Sequence, residues 1–144
     1  MVRNVAAVKR AVFARHSNPW SAWTRWLSTP LVLVPLWTRR WSHAAILGAW
    51  MVANPVIFPR PADEQAWSTR AVLGEELWIR ERPRDAAMAV DAAATLTGIT
   101  ALIAARRHRA APAAGATAVT MGLVLVYWRL MARYYDQHQR AETG

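Results

Sequence analysis

The residues best suited to chemistry in this sequence are polar groups placed inside or beside long apolar runs. Arg25 and Asp91 each interrupt such a run, and Asn54 stands just before the proline that ends another. A charged group at membrane depth is costly, so residues of this kind are candidates for ligand binding or proton transfer. A carboxyl group held there should have a raised pKa and could act as a general acid. Asp91 and Glu75 are therefore the predicted catalytic residues.

A second set of polar and aromatic residues is predicted to bind a ligand on the same, cytoplasmic, face of the membrane. The set consists of Arg25, Arg70, Asn18, Asn54, His16 and Trp20. In this interpretation the two arginines bind an anionic head group. A structural alternative stays open, in which Asp91 pairs with Arg25 or Arg84. In the same alternative, Arg25 and Arg129 extend to lipid head groups, and Asn18 and Asn54 cap helices.

Several kinds of chemistry are excluded by what the sequence lacks. It contains no cysteine, which excludes disulfides, thiol catalysis and cysteine metal sites. The four histidines stand far apart, without the close pairs of a zinc or di-iron site: His16, His43, His108 and His138. Neither a Gly-rich phosphate loop nor a nucleophile elbow is present. The sequence therefore predicts no metal and no cofactor.

Four apolar segments could position these residues in a membrane, where a spanning helix needs roughly twenty residues. They are residues 19–37, 41–58, 86–105 and 112–128. Asn18 and Pro19 suit the start of the first helix. Pro30 and Pro35 should bend that helix. We predict an all-α integral membrane bundle of four transmembrane helices, in one domain over residues 1–144. A soluble four-helix protein is the alternative, but the third and fourth segments lack the polar face that it needs.

Small residues recur every four positions in the third and fourth segments. They are Ala89, Ala93, Thr97 and Ala101 in the third, and Ala114, Ala118 and Gly122 in the fourth. Rows of this kind let helix backbones approach closely in lipid, so we expect the two segments to pack as a tight hairpin. The alternative is that the rows only reflect the abundance of alanine in this chain.

The distribution of basic residues predicts the orientation in the membrane. With the N-terminus inside, the cytoplasmic side carries Arg3, Lys9, Arg10, Arg15, Arg60, Arg70, Arg80, Arg82, Arg84, Arg129, Arg133 and Arg140. The opposite side carries Arg39, Arg40, Arg106, Arg107 and Arg109. Because cytoplasmic loops hold the excess of basic residues, this balance favours a multi-pass protein of the inner membrane with both termini in the cytoplasm.

The connection between the second and third segments is predicted to contain a further helix, over residues 63–82. Its acidic start and basic end match the helix dipole, and its apolar face favours a position along the cytoplasmic membrane surface. Arg70 and Glu81 fall inside that apolar face. Either the helix packs against the bundle with these two charges paired inward, or it bends near Gly74. Residues 2–15 resemble another basic amphipathic helix, with an ordinary polar helix end as the alternative.

The overall composition agrees with a membrane location. Trp occurs 9 times and Phe twice, a usage typical of side chains that gather at the head-group level of a bilayer. The formal net charge of +9 would also allow nucleic-acid binding. The arginines, however, flank the apolar segments and do not form one basic stripe. We therefore expect membrane lipids as partners and no nucleic acid.

Short strings in the first half of the chain resemble a family of small integral membrane proteins of unknown function found in bacteria and halophilic archaea. The strings are His16-Ser17-Asn18-Pro19-Trp20, Trp23-Thr24-Arg25, Asn54-Pro55, Phe58-Pro59, Trp67-Ser68 and Ala71-Val72-Leu73-Gly74-Glu75 with Trp78. The resemblance covers residues 16–78 and is weaker beyond them. It implies a multi-span membrane fold and brings no activity, cofactor or catalytic residue.

Three hypotheses for function follow from these residues. In the first, a polar pocket in the cytoplasmic leaflet binds an amphiphilic lipid or isoprenoid-like ligand, with Arg25 and Arg70 on its head group. In the second, the protein is an enzyme that isomerises or cyclises such a substrate, with Glu75 or Asp91 as the general acid. In the third, it is a non-catalytic subunit or assembly factor that binds a membrane-protein partner or a second copy of itself.

Overall fold

The computed structural model describes residue 15, residues 17–81 and residues 83–143. All of the regular structure in these residues is helical, which confirms the predicted all-α class. The helices are α1 (Pro19–Leu27), α2 (Leu33–Thr38), α3 (Trp41–Ile57), α4 (Trp67–Glu81), α5 (Ala86–Arg106) and α6 (Ala110–Thr143), with a 3₁₀ turn at Thr29–Val32. The predicted helix over residues 2–15 lies almost wholly outside the described residues, and so does His16.

The first predicted span, residues 19–37, is not one helix but α1, the 3₁₀ turn and α2 in succession. α1 begins as the sequence predicts: the Asn18 side chain accepts a hydrogen bond from the Trp20 amide at 2.9 Å, and Pro19 occupies the first helical position. Pro30 lies in the 3₁₀ turn. Its ring removes one amide donor and clashes with the preceding turn of an α-helix, so the chain bends there.

α3 follows α2 after a tight turn, in which Arg39 adopts a left-handed conformation with φ 55°. Its 17 residues include Pro55, and it ends at Ile57 where the chain becomes extended at Phe58. At about 1.5 Å per residue, this helix is shorter than the roughly 30 Å hydrocarbon core of a bilayer.

α5 and α6 form the predicted antiparallel hairpin, joined by a short turn in which His108 has φ 55°. Midway along it, the Thr120 hydroxyl donates to the Thr97 hydroxyl at 2.8 Å. The row predicted on α6 is wrong, however, because Ala114, Ala118 and Gly122 are exposed. Ala113 and Thr117 are buried instead. Ala113 and Thr117 lie on the same side of α6 as Thr120, whose hydroxyl binds Thr97 of α5. This hydrogen bond turns that side of α6, and not the predicted row, toward α5.

Among the residues that the structure describes, two helices are long and apolar enough to cross a membrane, over Ala86–Arg106 and Ala110–Ala141. The exposed large side chains of α5 include Leu96, Ile99 and Ile103, as expected of surfaces that face lipid. α6 has 34 residues and continues well beyond the predicted span of 112–128. Its C-terminal half therefore extends past the end of α5 and provides a surface for α4.

α4 packs against this C-terminal half of α6. It begins at Trp67 and not at residue 63, because a turn closed by the Asp63 carboxylate and the Gln65 amide precedes it. The predicted packing against the bundle is what the structure has, but Arg70 and Glu81 are not paired with each other. Arg70 binds Asp136 at 3.1 Å, and Glu81 accepts a hydrogen bond from the Tyr134 hydroxyl. Both partners lie on α6, which sequence periodicity within α4 could not reveal.

Candidate functional site

A buried asparagine joins α1 to α3 near the start of α1. The Asn54 side chain is 0% exposed, and its Oδ1 atom accepts from the Ser21 hydroxyl at 2.8 Å. Its Nδ2 atom donates to the Thr24 hydroxyl, also at 2.8 Å. The Thr24 hydroxyl in turn donates to the Trp20 carbonyl at 2.6 Å. Every polar group in this network has a partner, so Asn54 holds two helices together.

The ends of three helices meet at the same level. The Asn18 Nδ2 atom donates to the Pro59 carbonyl, just after α3, at 2.9 Å. The Thr69 hydroxyl, in the first turn of α4, donates to the Ser17 carbonyl at 2.7 Å. These long-range bonds bring the start of α1, the end of α3 and the start of α4 together. They also fix the distance between α1 and α4, which form opposite sides of a cleft.

The cleft has a volume of about 360 Å³ and lies between α1, α3, α4 and α6. Its apolar lining consists of Ala22, Trp26, Met51, Val72, Val124 and Trp128. Three polar residues complete it: Arg25 from α1, Glu75 from α4, and Thr29. Within the described part of the chain, this cleft brings a guanidinium and a carboxyl group together over an apolar surface.

Arg25 is held in place by its own helix. Its Nε atom donates to the Ser21 carbonyl at 3.2 Å, one turn earlier. Its carbonyl accepts from the Ser28 hydroxyl at 2.9 Å, and Ser28 in turn accepts from the Trp50 indole at 3.1 Å. Since Ser21 also binds Asn54, the network between α1 and α3 positions the one basic side chain among the described residues that lines the cleft.

Glu75 faces Arg25 from α4 and is half-buried. Desolvation raises the pKa of the Glu75 carboxyl above its ordinary value, and the charge of Asp91 adds to this rise. The Tyr127 hydroxyl, which donates to Glu75 Oε1 at 3.4 Å, and the Arg25 charge both oppose it. Because desolvation is the largest of these effects, the Glu75 carboxyl binds its proton more tightly than an exposed carboxyl does, and in its protonated form it can donate a hydrogen bond or a proton.

Three tryptophan rings pack together beside the cleft, and one of them, Trp128, lines it. Trp23 of α1 lies 6.0 Å from Trp67 of α4 and 5.6 Å from Trp128 of α6, between ring centroids. Trp67 and Trp128 are also 6.0 Å apart. In addition, the Trp26 indole donates to the Met121 carbonyl at 3.1 Å. The rings pack edge to face or tilted, an arrangement that stabilises aromatic contacts, so they fix α1 against α4 and α6.

Of the predicted site residues, Arg25 and Glu75 line the cleft together. Asn18 and Asn54 lie next to it and connect helices, and Arg70 joins α4 to Asp136 of α6. Trp20 is 71% exposed. Asp91 is exposed on α5 and acts on Glu75 only through its charge.

The sequence did not predict a role for Tyr127 or for the tryptophan cluster. Tyr127 lies near the end of the predicted fourth span, and it contacts Glu75 because α4 packs against α6, a long-range contact that local sequence pattern does not reveal. The cluster joins three helices that are far apart in sequence. The sequence signal that could have located the cluster is the position of Trp128 at the end of the fourth segment. In the predicted topology it lies at the same membrane depth as Trp23, near the start of the first.

Other cavities adjoin the bent first segment. A slot of about 130 Å³ lies between this segment, α5 and α6, and is lined by Thr29, Val32, Leu33, Gly98, Ala101, Leu102, Thr117 and Thr120. A shallower groove of about 480 Å³ lies on the other side, next to α3. Thr29 lines both the slot and the cleft, so the two spaces are adjacent.

The donor set of the described residues does not favour a metal ion. No group of three or more His, Asp or Glu side chains is close enough to hold one in this part of the chain. The cleft instead offers a cation, an acid with a raised pKa and an apolar lining. These groups can bind an oxyanion attached to a hydrocarbon, and Glu75 can supply a proton to it.

The sequence model of DUF6653, a family of unknown function, matches residues 3–126 of the chain. Since the match covers most of the chain, the protein belongs to this family, and the predicted resemblance to an uncharacterised family is confirmed. The match extends on both sides of residues 16–78, which carry the resemblance in the sequence. No curated protein and no solved structure matches the chain.

Proposed function

We propose that this member of DUF6653 is a four-span membrane protein that binds the polar head of an amphiphilic lipid or isoprenoid-like ligand in the cleft between α1, α3, α4 and α6. The observation that carries the proposal is the cleft itself, in which Arg25 and Glu75 stand over an otherwise apolar lining of about 360 Å³. Ligand pockets of this size are typically apolar with a few convergent polar groups.

The exposed surface of α3 supports a membrane location for the shorter helices as well. Trp41 is 89% exposed, Val52 74% and Ile46 69%. A soluble monomer rarely exposes a contiguous apolar surface of this extent, whereas lipid covers it at no cost. We therefore assign α3 to the second span, and the bent unit of α1, the 3₁₀ turn and α2 to the first.

The balance of basic residues supports the cytoplasmic leaflet as the location of the cleft. In this topology α4 and the C-terminal half of α6 lie on the cytoplasmic side, together with Arg80, Arg84 and Arg133. An amphiphile in that leaflet would then reach Arg25 with its head while its chain stays at the depth of Met51 and Val124.

The orientation can be tested directly because the chain contains no cysteine. Single cysteines at two exposed positions, Ala62→Cys and Ala110→Cys, report on opposite sides of the proposed bilayer. A membrane-impermeant maleimide should label Ala110→Cys on intact cells and Ala62→Cys only after permeabilisation. Labelling of both variants, or of Ala62→Cys alone, on intact cells would overturn the proposed topology.

Ligand binding is tested by native mass spectrometry of protein extracted in mild detergent. The wild type should retain a defined extra mass that Arg25→Ala loses, because the guanidinium is the basic group in the cleft. Arg129→Ala is the matched control, since Arg129 is exposed and does not line the cleft. A wild type without bound mass, or one in which Arg129→Ala loses the mass equally, would contradict the proposal. Release together with another polypeptide would favour the subunit hypothesis.

An enzymatic role has one specific observation in its favour, the raised pKa of Glu75 beside the Tyr127 hydroxyl. A carboxyl whose pKa is raised by desolvation is better able to serve as a general acid toward a bound isoprenoid-like chain than an exposed one. Glu75→Gln should then abolish turnover while the bound mass remains. If mass spectrometry finds the same ligand, chemically unchanged, in wild type and variant, binding alone is the function.

A further inference from the structure

The end of the bundle opposite the cleft is strongly basic. Two turns meet there, because α2 packs against α5 and the Trp37 ring contacts the His108 ring, with 5.0 Å between their centroids. The first turn joins α2 to α3, and the second joins α5 to α6. The two turns and the end of α5 carry five arginines, which are Arg39, Arg40, Arg106, Arg107 and Arg109.

None of the nine acidic residues of the chain is placed to neutralise these arginines. All nine lie within residues 63–91 or 136–142, which belong to the cleft end of the molecule. Asp91 comes closest to Arg106 along α5, and at about 1.5 Å per residue the two are still about 22 Å apart along the helix axis. The ion pairs of the described residues also lie within α4 or between α4 and α6. The positive charge of the opposite end must therefore be balanced from outside the chain.

Three of the five arginines line one cavity of about 320 Å³: Arg39, Arg40 and Arg106. The rest of the lining is apolar and consists of Pro35, Leu36, Trp41 and Ala44. With the other described residues, the three guanidinium groups form no ion pair and no hydrogen bond. Their donors are therefore available to a ligand. Arg107 and Arg109 follow Arg106 in the chain but do not line this cavity.

The arginines are not needed to cap the helices at this end. The carbonyls of Ile103, Ala104 and Ala105, at the end of α5, already accept hydrogen bonds from backbone amides of the following turn. α3 begins directly after Arg40, without a side-chain cap and without an acidic residue in its first turn. Because the start of a helix carries a partial positive charge, it adds to the potential of the arginines. An anion in the cavity would lower this potential.

We propose that this cavity binds the phosphate of an anionic phospholipid, at the membrane surface opposite the cleft. Guanidinium groups form paired, charge-assisted hydrogen bonds to phosphate oxygens. A head group that also carries an amine would bring a cation next to three arginines, so an anionic head is favoured over a zwitterionic one. This inference rests on the membrane location proposed above, but it does not depend on a ligand in the cleft.

The apolar side of the cavity favours a lipid over a free phosphate. Trp41 lines the cavity and is 89% exposed, as is typical of tryptophan at the head-group level of a bilayer. Helical periodicity places Val52 on the same face of α3, where it is 74% exposed. The acyl chains can therefore lie along α3 while the phosphate stays with the arginines. A free phosphate would leave this surface uncovered.

Head-group selectivity is tested by native mass spectrometry of protein in a neutral detergent, titrated with phosphatidylglycerol or phosphatidylcholine of the same acyl chains. Phosphatidylglycerol should bind at least about fivefold more tightly. Each of Arg39→Gln, Arg40→Gln and Arg106→Gln should weaken its binding by about fivefold, the contribution of one arginine near an anionic lipid surface. Equal affinity for the two lipids in the wild type would overturn the proposal.

Arg107→Gln and Arg109→Gln are the matched controls. They remove the same charge from the same end of the bundle without changing the lining of the cavity, and all five side chains are exposed, so the fold should be kept. Both controls should bind phosphatidylglycerol like the wild type. If they weaken binding as much as Arg106→Gln does, the attraction is a diffuse effect of charge, and the cavity is not a binding site.

Competition and a cleft variant complete the test. Glycerol 3-phosphate, the head without chains, should compete weakly with phosphatidylglycerol, whereas competition at the lipid's own concentration would show a site for free phosphates and overturn the lipid assignment. Arg25→Ala should keep the binding that depends on Arg106. If Arg25→Ala abolishes this binding and Arg106→Gln does not, the lipid occupies the cleft, so this inference fails and the proposed function stands. If Arg106-dependent binding is found but no ligand of the cleft, only the proposed function fails.

Discussion

The two ends of this helix bundle are held together by different interactions. At the polar end, formed by the starts of α1 and α4, the end of α3 and the C-terminal half of α6, helices are joined by side-chain hydrogen bonds, an ion pair and tryptophan contacts. At the small-residue end, Ala104, Ala105 and Ala113 form a buried cluster against Leu33 and Leu36.

This difference separates two roles for side chains in a helix bundle. Small apolar residues allow close approach of helices but do not select one position along the helix axis. Buried polar groups must find partners, so each of them fixes both the register and the rotation of its helix. The cleft lies at the polar end. The groups that line it, Arg25 and Glu75, are therefore positioned by a network whose other members serve structure.

The largest expected effect comes from Gly74→Ala in α4. A Cβ atom added there would lie 2.0 Å from the Met131 carbonyl oxygen and 3.3 Å from the Cβ atom of Tyr135. Since backbone cannot yield as a side chain can, α4 must move away from α6, and we expect a loss of about 3 kcal/mol or more. Thermal unfolding of the variant and the wild type in detergent measures this loss of stability.

Gly115→Ala is the matched control for that substitution, near the small-residue end. An added Cβ atom there meets nothing within 4 Å, so the helix should be unchanged or gain up to about 1 kcal/mol from alanine's higher propensity. Equal unfolding temperatures for the two variants would show that the contact between α4 and α6 does not stabilise the protein.

Asn54→Ala should have the next largest effect. It removes the hydrogen bonds to Ser21 and Thr24 and leaves the buried Ser21 hydroxyl without its acceptor, at a cost of about 1–3 kcal/mol. The comparison is Thr38→Ala at the small-residue end, where the hydroxyl bonds to Val34 and His43 in an exposed position and water can replace it. The free energy of unfolding, measured with denaturant, should be clearly lower for Asn54→Ala than for Thr38→Ala. The reverse order would contradict the contrast between the two ends.

Glu75→Gln should produce a smaller effect that depends on pH. The folded state binds the Glu75 proton more tightly than the unfolded state, because desolvation raises the pKa of this carboxyl. Its contribution to stability is complete below the unfolded value and is lost as pH rises through the folded pKa. Without ligand, Glu75→Gln should match the wild type in acid and become the more stable of the two as pH rises. Glu76→Gln should not gain stability relative to the wild type as pH rises. If it does, burial of Glu75 is not the cause of the pH dependence.

The smallest expected effect belongs to Thr120→Val, midway between the ends. It removes the hydrogen bond to the Thr97 hydroxyl, and such bonds between membrane helices average about 0.6 kcal/mol. Thr100→Val is the control, since that hydroxyl bonds only to the Leu96 carbonyl of its own helix. A double-mutant cycle with Thr97→Val should return a coupling energy of this size, whereas zero coupling would show that the bond does not hold the hairpin.

The sequence predicted the elements of this fold better than their contacts. Helical type, the cap at Asn18 and the hairpin of α5 and α6 follow from local pattern, and the structure has all three. The break in the first segment exceeds the predicted bend because Pro30 lies in a 3₁₀ turn that separates two α-helices. The exposed face of α6 at Ala118 was mispredicted, since spacing identifies a row of small residues and not the neighbour that it faces.

The candidate site was predictable only in part, for a physical reason. Ionisable residues in or beside apolar segments are rare, so their positions in the sequence are enough to identify Arg25 and Glu75 as candidates. Their position across a cleft depends on long-range bonds such as those of Asn54 and Thr69, and local pattern contains no information on these. The same holds for Arg70. Helical periodicity predicts that its charge lies on the apolar face of α4, but its partner Asp136 is 66 residues away and cannot be predicted from local pattern.

The most direct test of the central claim is to photo-crosslink a carboxylate amphiphile that carries a diazirine near its head and to map the modified residues by mass spectrometry. The account predicts labels on cleft residues such as Met51, Val72 and Val124, lost in Arg25→Ala and kept in Arg129→Ala. Labels confined to exposed apolar positions outside the cleft, such as Ile46, Val52 and Ile99, and unchanged in Arg25→Ala, would show that the cleft is not a binding site.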